Sequence, residues 1–302
     1  RIGRLARAIA AQLQADEALV GQAAELCKCD LMSEMVGEFP KLQGIMGRYY
    51  AAHDRLPADV CATIEQHYWP RFAGDALPQS DIAQCVALAD RLDSLVGIFA
   101  IGQKPSGVKD PFALRRAAVG VVRILIEKAL PLDLDWLCRE AAQGLASKLD
   151  ASAVIDEVID YIFDRLRAYY QEQGIAYDVV DAVTCARPTI LRDCDRRVQA
   201  VSGFQTNEAA AALAAANKRI ANMLKNQKLK PAQLDPALLQ EDAELMLYQQ
   251  LIGLQASVET LFDDGQYLEG LNQLADLRPA VDRFFDEVMV MAEDADVRRN
   301  RL

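Results

Sequence analysis

Residues 82–99 read Ile-Ala-Gln-Cys-Val-Ala-Leu-Ala-Asp-Arg-Leu-Asp-Ser-Leu-Val-Gly-Ile-Phe. Val86, Ala89, Asp90, Asp93, Val96 and Gly97 recur at steps of three and four, with Leu88, Leu92, Leu95 and Phe99 alongside. That period belongs to a helix and not to a strand. The same rhythm returns over 152–173 in Val154, Val158, Ile162, Leu166 and Tyr169. It returns again near the C-terminus in Leu274, Leu277, Val281, Phe284, Phe285, Val288 and Met289. Residues 209–217 are rich in alanine, which favours helix by propensity. Gly and Pro fall between the apolar stretches, and no alternating run is bounded by Asn-Gly or Asp-Gly turns. The predicted fold class is all-α, without the sheet of a nucleotide-binding fold.

The chain has 302 residues, 52% of them hydrophobic and 25% charged, which is the composition of a globular protein. That length accommodates two domains, each with a core. No apolar run approaches the roughly 20 residues that span a bilayer, and the first residues do not form a signal peptide. The absence of an initiator methionine reads as a piece of something longer. Net charge is −11, which argues against a chain that coats nucleic acid non-specifically, although basic groups gathered on one face remain compatible with binding it. Seven scattered cysteines with no Cys-x-x-Cys read as reduced, buried thiols, and two histidines are few for histidine-based chemistry. No nucleophile elbow, His-Glu-x-x-His pair or dinucleotide fingerprint occurs, so no catalytic residue is assigned.

Pro40, the stretch 53–57, Pro70 to Pro78, the loop 102–111 and Pro131 punctuate the first half. Asp150-Ala151-Ser152 reads as a polar helix start before an apolar run, and places the expected domains at 1–148 and 149–302.

Three segments can carry chemistry. In the loop Lys104-Pro-Ser-Gly-Val-Lys-Asp-Pro-Phe-Ala-Leu-Arg-Arg116, Asp110 suits an N-cap and Pro111 a first helical position. Free N–H groups at that helix start, with Lys104, Lys109, Arg115 and Arg116 beside them, would suit a backbone phosphate. The alternative is a structural loop whose Asp110 pairs with an arginine. Asp30, His67 and Asp90, with Asp93, are hard-metal ligand types that helix packing could gather; interior structural groups are the competing reading. His53-Asp54 reads as exposed loop. Finally Asn217, Lys218, Arg219, Asn222, Lys225, Asn226, Gln227, Lys228 and Lys230 form an acid-free basic strip, with Ile220 and Leu224 able to turn inward. Such a strip can neutralise phosphates while amides reach base edges, or can be a solvated face. Arg187, Arg192, Arg196 and Arg197 form a more mixed cluster with Asp193 and Asp195.

Several of these stretches are similar to the β subunit of bacterial tetrameric glycyl-tRNA synthetase. The resemblance is carried by Lys28-Cys-Asp-Leu-Met-Ser-Glu-Met-Val-Gly-Glu-Phe-Pro-Lys-Leu-Gln-Gly-Ile-Met-Gly47, Glu65-Gln-His-Tyr-Trp-Pro-Arg-Phe72 and Ala87-Leu-Ala-Asp-Arg-Leu-Asp93. The 104–116 loop and Leu277-Arg-Pro-Ala-Val-Asp-Arg-Phe-Phe-Asp-Glu-Val-Met-Val290 extend it almost across the chain. It implies a helical HD-like domain followed by a helical-bundle anticodon-binding (DALR-like) domain, in the C-terminal part of that subunit. Asp30, His67 and Asp90 would stand at HD metal positions. Cys29 replaces the histidine expected before Asp30, which removes a ligand and implies a degenerate site holding no metal. The resemblance further implies glycine tRNA as partner and an α subunit joined in an α2β2 assembly. ATP and Mg chemistry would lie in that α subunit, with no cofactor here, no DNA or membrane partner, and a cytoplasmic location. Lys104, Lys109, Arg115 and Arg116 would then meet phosphates toward the acceptor side, and Asn217, Lys218, Asn222, Lys225 and Lys228 the anticodon side. An HD-type metal phosphohydrolase and a purely structural docking module are the alternatives.

Overall fold

The computed structural model describes residues 1–225 and 234–302. Among them there is no strand, only helices and two isolated backbone bridges, and no helix is long and apolar enough to cross a membrane. The chain divides into two compact units, Arg1–Asp195 and Arg196–Leu302.

The first unit carries α1 Ile2–Leu13, α2 Glu17–Leu26, α3 Glu34–Glu38, α4 Ile45–His53, α5 Ala58–Gln66, α6 Asp81–Ala100, α7 Leu114–Glu127, α8 Leu134–Gln143, α9 Ile155–Glu172 and α10 Tyr177–Thr184. Helix α6, which contains the periodic stretch 82–99, is its axis. Ser80 caps it, accepting from the Ala83 N–H at 3.2 Å. It is buried on nearly every face, from Val86 and Ala87 through Leu88, Leu92, Leu95 and Val96. A helix apolar all round must be enclosed, and α1, α2, α5, α7, α8 and α9 pack against it.

The first unit extends past the expected 148/149 boundary. Asp150 does begin a turn, accepting from the Ser152 N–H and hydroxyl at 2.9 and 2.6 Å. The helix that follows, α9, nevertheless packs on α7 and α8 and buries Ile162, Leu166 and Tyr170. Two long-range ties carry the unit further. The Thr189 hydroxyl donates to Asp133 at 2.5 Å, and the Tyr170 hydroxyl donates to Asp195 at 2.9 Å.

Helix α11, Leu191–Phe204, leads into the second unit, which holds α12 Glu208–Lys225, α13 Asp242–Asp263, α14 Tyr267–Ala275, α15 Arg278–Glu287 and α16 Ala295–Arg301. The C-terminal apolar stripe falls on two helices. Leu274 lies in α14 and Leu277 is the N-cap of α15, where Pro279 suits the first turn. Val288 and Met289 lie past its end. Helix α13 packs against α14 and α15, and α12 against α15. The fully enclosed tie is ionic: Glu244 accepts from Arg301 at 2.6 and 3.0 Å, with both side chains buried. Burial alone would raise the Glu244 carboxyl. The Arg301 guanidinium and the Glu241 and Gln240 N–H groups outweigh it and hold the carboxyl below its usual value.

All seven cysteines are free thiols. Five are buried as expected, but Cys29 and Cys185 are exposed.

Candidate nucleic-acid interface

The 104–116 loop is tied by hydrogen bonds of its own, but its helix does not begin where expected. Ser106 and Lys109 exchange backbone hydrogen bonds at 3.1 and 2.9 Å, which presents Val108 almost fully to solvent at 97% exposure. Helix α7 starts at Leu114, three residues beyond the Pro111 expected at its first position, with Ala113 in the left-handed region at φ 56°. Asp110 reaches it across the turn, and its carboxylate accepts from the Leu114 and Arg115 N–H groups at 2.8 and 3.0 Å. Those N–H groups, expected to be open to an anion, are therefore filled by the chain's own carboxylate.

The four loop cations differ in what holds them. Lys104 is ion-paired with Glu157 at 2.5 Å and stands over the Phe99 ring. The Arg115 guanidinium donates to the Gly107 carbonyl. Exposed Lys109 and Arg116 have no ion pair among the described residues. Arg116 borders a groove of about 1050 Å³ between the α5–α6 segment and the start of α7.

At the floor of that groove lie His67 and Asp90. His67 is wholly buried, with Nδ1 2.9 Å from the Ile64 carbonyl and no partner for Nε2. Burial lowers its pKa to about 4, so the ring is neutral at neutral pH. The Lys28 ammonium stands 2.5 Å from the Asp90 carboxylate. Asp30 serves the backbone instead, with one oxygen accepting from the Gly44 and Gly47 N–H groups at 2.6 and 3.3 Å. A β-carbon at Gly47 would press on that carboxyl group and on Ile64, so only glycine allows this approach. Asp93 takes Arg1 in a paired contact of 2.9 and 3.0 Å. Cys29 is exposed, its thiol against the Glu25 carbonyl. Among the described residues no three His, Cys, Asp or Glu side chains gather to hold a metal ion. The donors present do not fit the metal of an HD site: one carboxylate is spent on backbone and another on an ammonium. His53 and Asp54 are exposed, as expected.

Sequence reasoning assigned no role to the residue that organises this region. The Arg91 guanidinium is buried and donates to the carbonyls of His67, Ala87, Tyr68, Trp69 and Pro70 at 2.8, 2.9, 3.0, 2.7 and 3.3 Å. These include carbonyls at the C-terminal end of α5 that lack a partner within the helix, where a cation is favoured. Burial lowers its pKa to about 10, so it remains charged at neutral pH. Helix α7 contributes Gly120, where any β-carbon would overlap the Arg91 side chain. An arginine in an apolar helix was the available signal, but four of its five acceptors lie more than 20 residues away.

In the second unit, Asn217, Lys218, Asn222 and Lys225 are exposed along α12. Lys218, Asn222 and Lys225, at i, i+4 and i+7, share a face, and none has an ion pair among the described residues. Lys228 and Lys230, with Asn226 and Gln227, lie outside the described residues. Ile220 and Leu224 border an apolar cavity of about 210 Å³ with Leu247, Val281 and Phe284, yet remain 39% and 38% exposed. Arg219 is stacked 4.3 Å over the Phe285 ring. In the mixed cluster, Arg187 pairs with Asp160 at 2.8 Å and Arg197 stacks over Tyr267 at 4.7 Å.

Comparison with known proteins adds the family. Residues 1–185 match the model of the glycyl-tRNA synthetase beta subunit, and residues 213–302 that of the DALR anticodon binding domain. The whole chain is 51% identical to a glycine–tRNA ligase beta subunit of Actinobacillus pleuropneumoniae, covering 44% of that protein. It is 52% identical to one from Edwardsiella ictaluri and 50% to one from Pasteurella multocida, again over 44% of their length. The chain thus spans less than half the length of these curated relatives. With a family model covering the whole helical body around α6 and an anticodon-binding model covering the helices from α12 onward, the chain belongs to the glycyl-tRNA synthetase beta subunit family.

Proposed function

We propose that this chain grips tRNA for a glycine–tRNA ligase, with glycine activation, ATP and Mg handled in a separate α subunit. The observation that carries the reading is the basic strip Lys218, Asn222 and Lys225, without an ion pair among the described residues, inside the region matched by an anticodon-binding model. Ammonium groups without carboxylate partners are available to phosphates, and amides beside them can reach the edges of unpaired bases. An anticodon loop offers both. In the first unit, Lys109 and Arg116 serve phosphates toward the acceptor side, while Lys104 has Glu157 to release first. Partners of this reading are glycine tRNA and the α subunit of an α2β2 assembly, in the cytoplasm.

Filter binding of glycine tRNA and an unrelated tRNA at several salt concentrations tests it. Affinity for glycine tRNA is expected to fall steeply with salt, and Lys218→Ala with Lys225→Ala to reduce the salt slope by about 0.7–0.9 per lost phosphate contact. Equal, weak retention of both tRNAs, unchanged by the substitutions, would sink the proposal.

A further inference from the structure

Residues 31–39 leave four large apolar side chains in solvent: Met32 at 90% exposure, Phe39 at 59%, and Leu31 and Met35 beside them. Of α3 itself only Val36 is buried. The helix packs against the single turns that flank it, Cys29–Met32 and Pro40–Leu42. The stretch is nonetheless held in place. Asp30, fastened by its carboxylate to Gly44 and Gly47, accepts the Ser33 hydroxyl on its carbonyl at 2.7 Å. The Ser33 hydroxyl in turn accepts from the Val36 N–H at 3.3 Å, and the Phe39 N–H donates to the Met35 carbonyl at 2.9 Å. An ordered backbone that displays uncovered apolar side chains marks an interaction surface. Methionine, unbranched and polarizable, suits a surface that moulds itself to a partner.

Charge decides what kind of molecule this face fits. Glu34 and Glu38, one helical turn apart on α3, are exposed and have no ion pair among the described residues. The sequence from 29 to 40 holds no cation. Such a face repels RNA phosphates and the anionic headgroups of a membrane. A second copy applied to it about a twofold axis would set the same glutamates against one another. What remains is a protein surface whose apolar residues are edged with lysine or arginine. The proposed function requires a protein partner, because a chain that grips tRNA depends on the α subunit for glycine activation. We propose that residues 31–39 dock the α subunit through an apolar, basic-edged segment, with Met32 and Phe39 as anchors and Glu34 and Glu38 meeting its cations. The inference rests on the reading of this chain as one subunit of a ligase, but it uses none of the proposed tRNA contacts. Because the backbone of the stretch is already held, little ordering opposes binding.

Sedimentation velocity of the purified chain mixed with the purified α subunit, beside filter binding of glycine tRNA, decides the matter. The unaltered chain should form a complex with the α subunit. Met32→Glu with Phe39→Glu changes exposed side chains, so helicity should be retained. That variant should weaken the complex by about tenfold or more, because apolar anchors carry most of an interface, and should leave tRNA retention unchanged. Glu34→Lys with Glu38→Lys should weaken it by about tenfold at low salt and by less at high salt. Weak, unselective tRNA retention by a chain that still binds the α subunit through this face counts against the tRNA reading alone and supports the docking face. The proposal is overturned if the unaltered chain forms no complex, if Met32→Glu with Phe39→Glu leaves the complex unchanged, or if Glu34→Lys with Glu38→Lys tightens it. Self-association of the chain that the Met32→Glu and Phe39→Glu changes abolish would also overturn it, by assigning the face to a second copy.

Discussion

The two units differ in how deeply they bury the partners of their positive charge: Arg91 of the first is enclosed among carbonyls, and Arg301 of the second against one carboxylate. In the first, Arg91 is committed to five carbonyls, Arg1 to Asp93, Arg4 to Glu140, Lys28 to Asp90 and Lys104 to Glu157, and Lys109 and Arg116 have no ion pair among the described residues. In the second, Arg278, Arg283, Arg299 and Arg301 are paired with Asp282, Glu287, Asp296 and Glu244, while α12 displays Lys218 and Lys225 with no ion pair among the described residues. The cores differ in parallel. Helix α6 is enclosed on nearly all sides, whereas α13 leaves Leu245, Leu251 and Ile252 at 38%, 45% and 55% exposure. Equal densities of lysine and arginine in a sequence therefore say little about binding. Availability depends on whether the fold has already supplied an acceptor.

This contrast can be broken by substitution, and the greatest loss should come from Arg91→Met. Removing a charged donor from several carbonyls leaves buried acceptors unmatched, so urea denaturation should show more than about 3 kcal/mol lost from the first unit. Of similar size, Arg301→Ala strands the buried Glu244 carboxylate and should cost the second unit about 3–5 kcal/mol. Resolved as a separate transition, it would show that the units unfold independently; a single shared transition would contradict that separation.

A smaller effect depends on pH. His67 titrates near 4 when folded, below its ordinary value of 6.5. Between those values the unfolded chain binds the extra proton, so stability is held above pH 6.5 and lost as pH falls toward 4. The loss should be on the order of 3 kcal/mol between pH 7 and 4, and His67→Phe should flatten it. Smallest of all, Lys104→Ala removes an exposed pair and should change stability by less than about 1 kcal/mol. If it weakens tRNA retention as much as Lys218→Ala does, the distinction between committed and available cations fails.

Much of this architecture can be read from spacing. The periodicity of 82–99 specifies α6, and Asp150 marks a real turn. What spacing cannot reveal is where a helix goes next. Nothing local shows that α9 returns onto α7 and α8, because the decision rests on surfaces contributed by distant residues. The break between Leu274 and Val281 was hidden because the apolar period runs through it, although Pro279 marks the new first turn. In the loop, residue types indicated the anion-binding character of a helix start, but not that Asp110 itself occupies it. The groove was less legible still. Arg91, buried beneath it, sits in an apolar helix with no spacing that points to its acceptors after α5.

Arg91 has one more consequence, and it concerns time. Its guanidinium meets carbonyls from α5, from the segment after it and from α6 itself, and Gly120 of α7 closes over the shaft. Such a clasp can close only after three helices have docked, so it belongs on the native side of the folding barrier. Interactions absent from a transition state slow escape from the native basin more than they hasten arrival. Arg91→Met should accordingly speed unfolding more than it slows refolding.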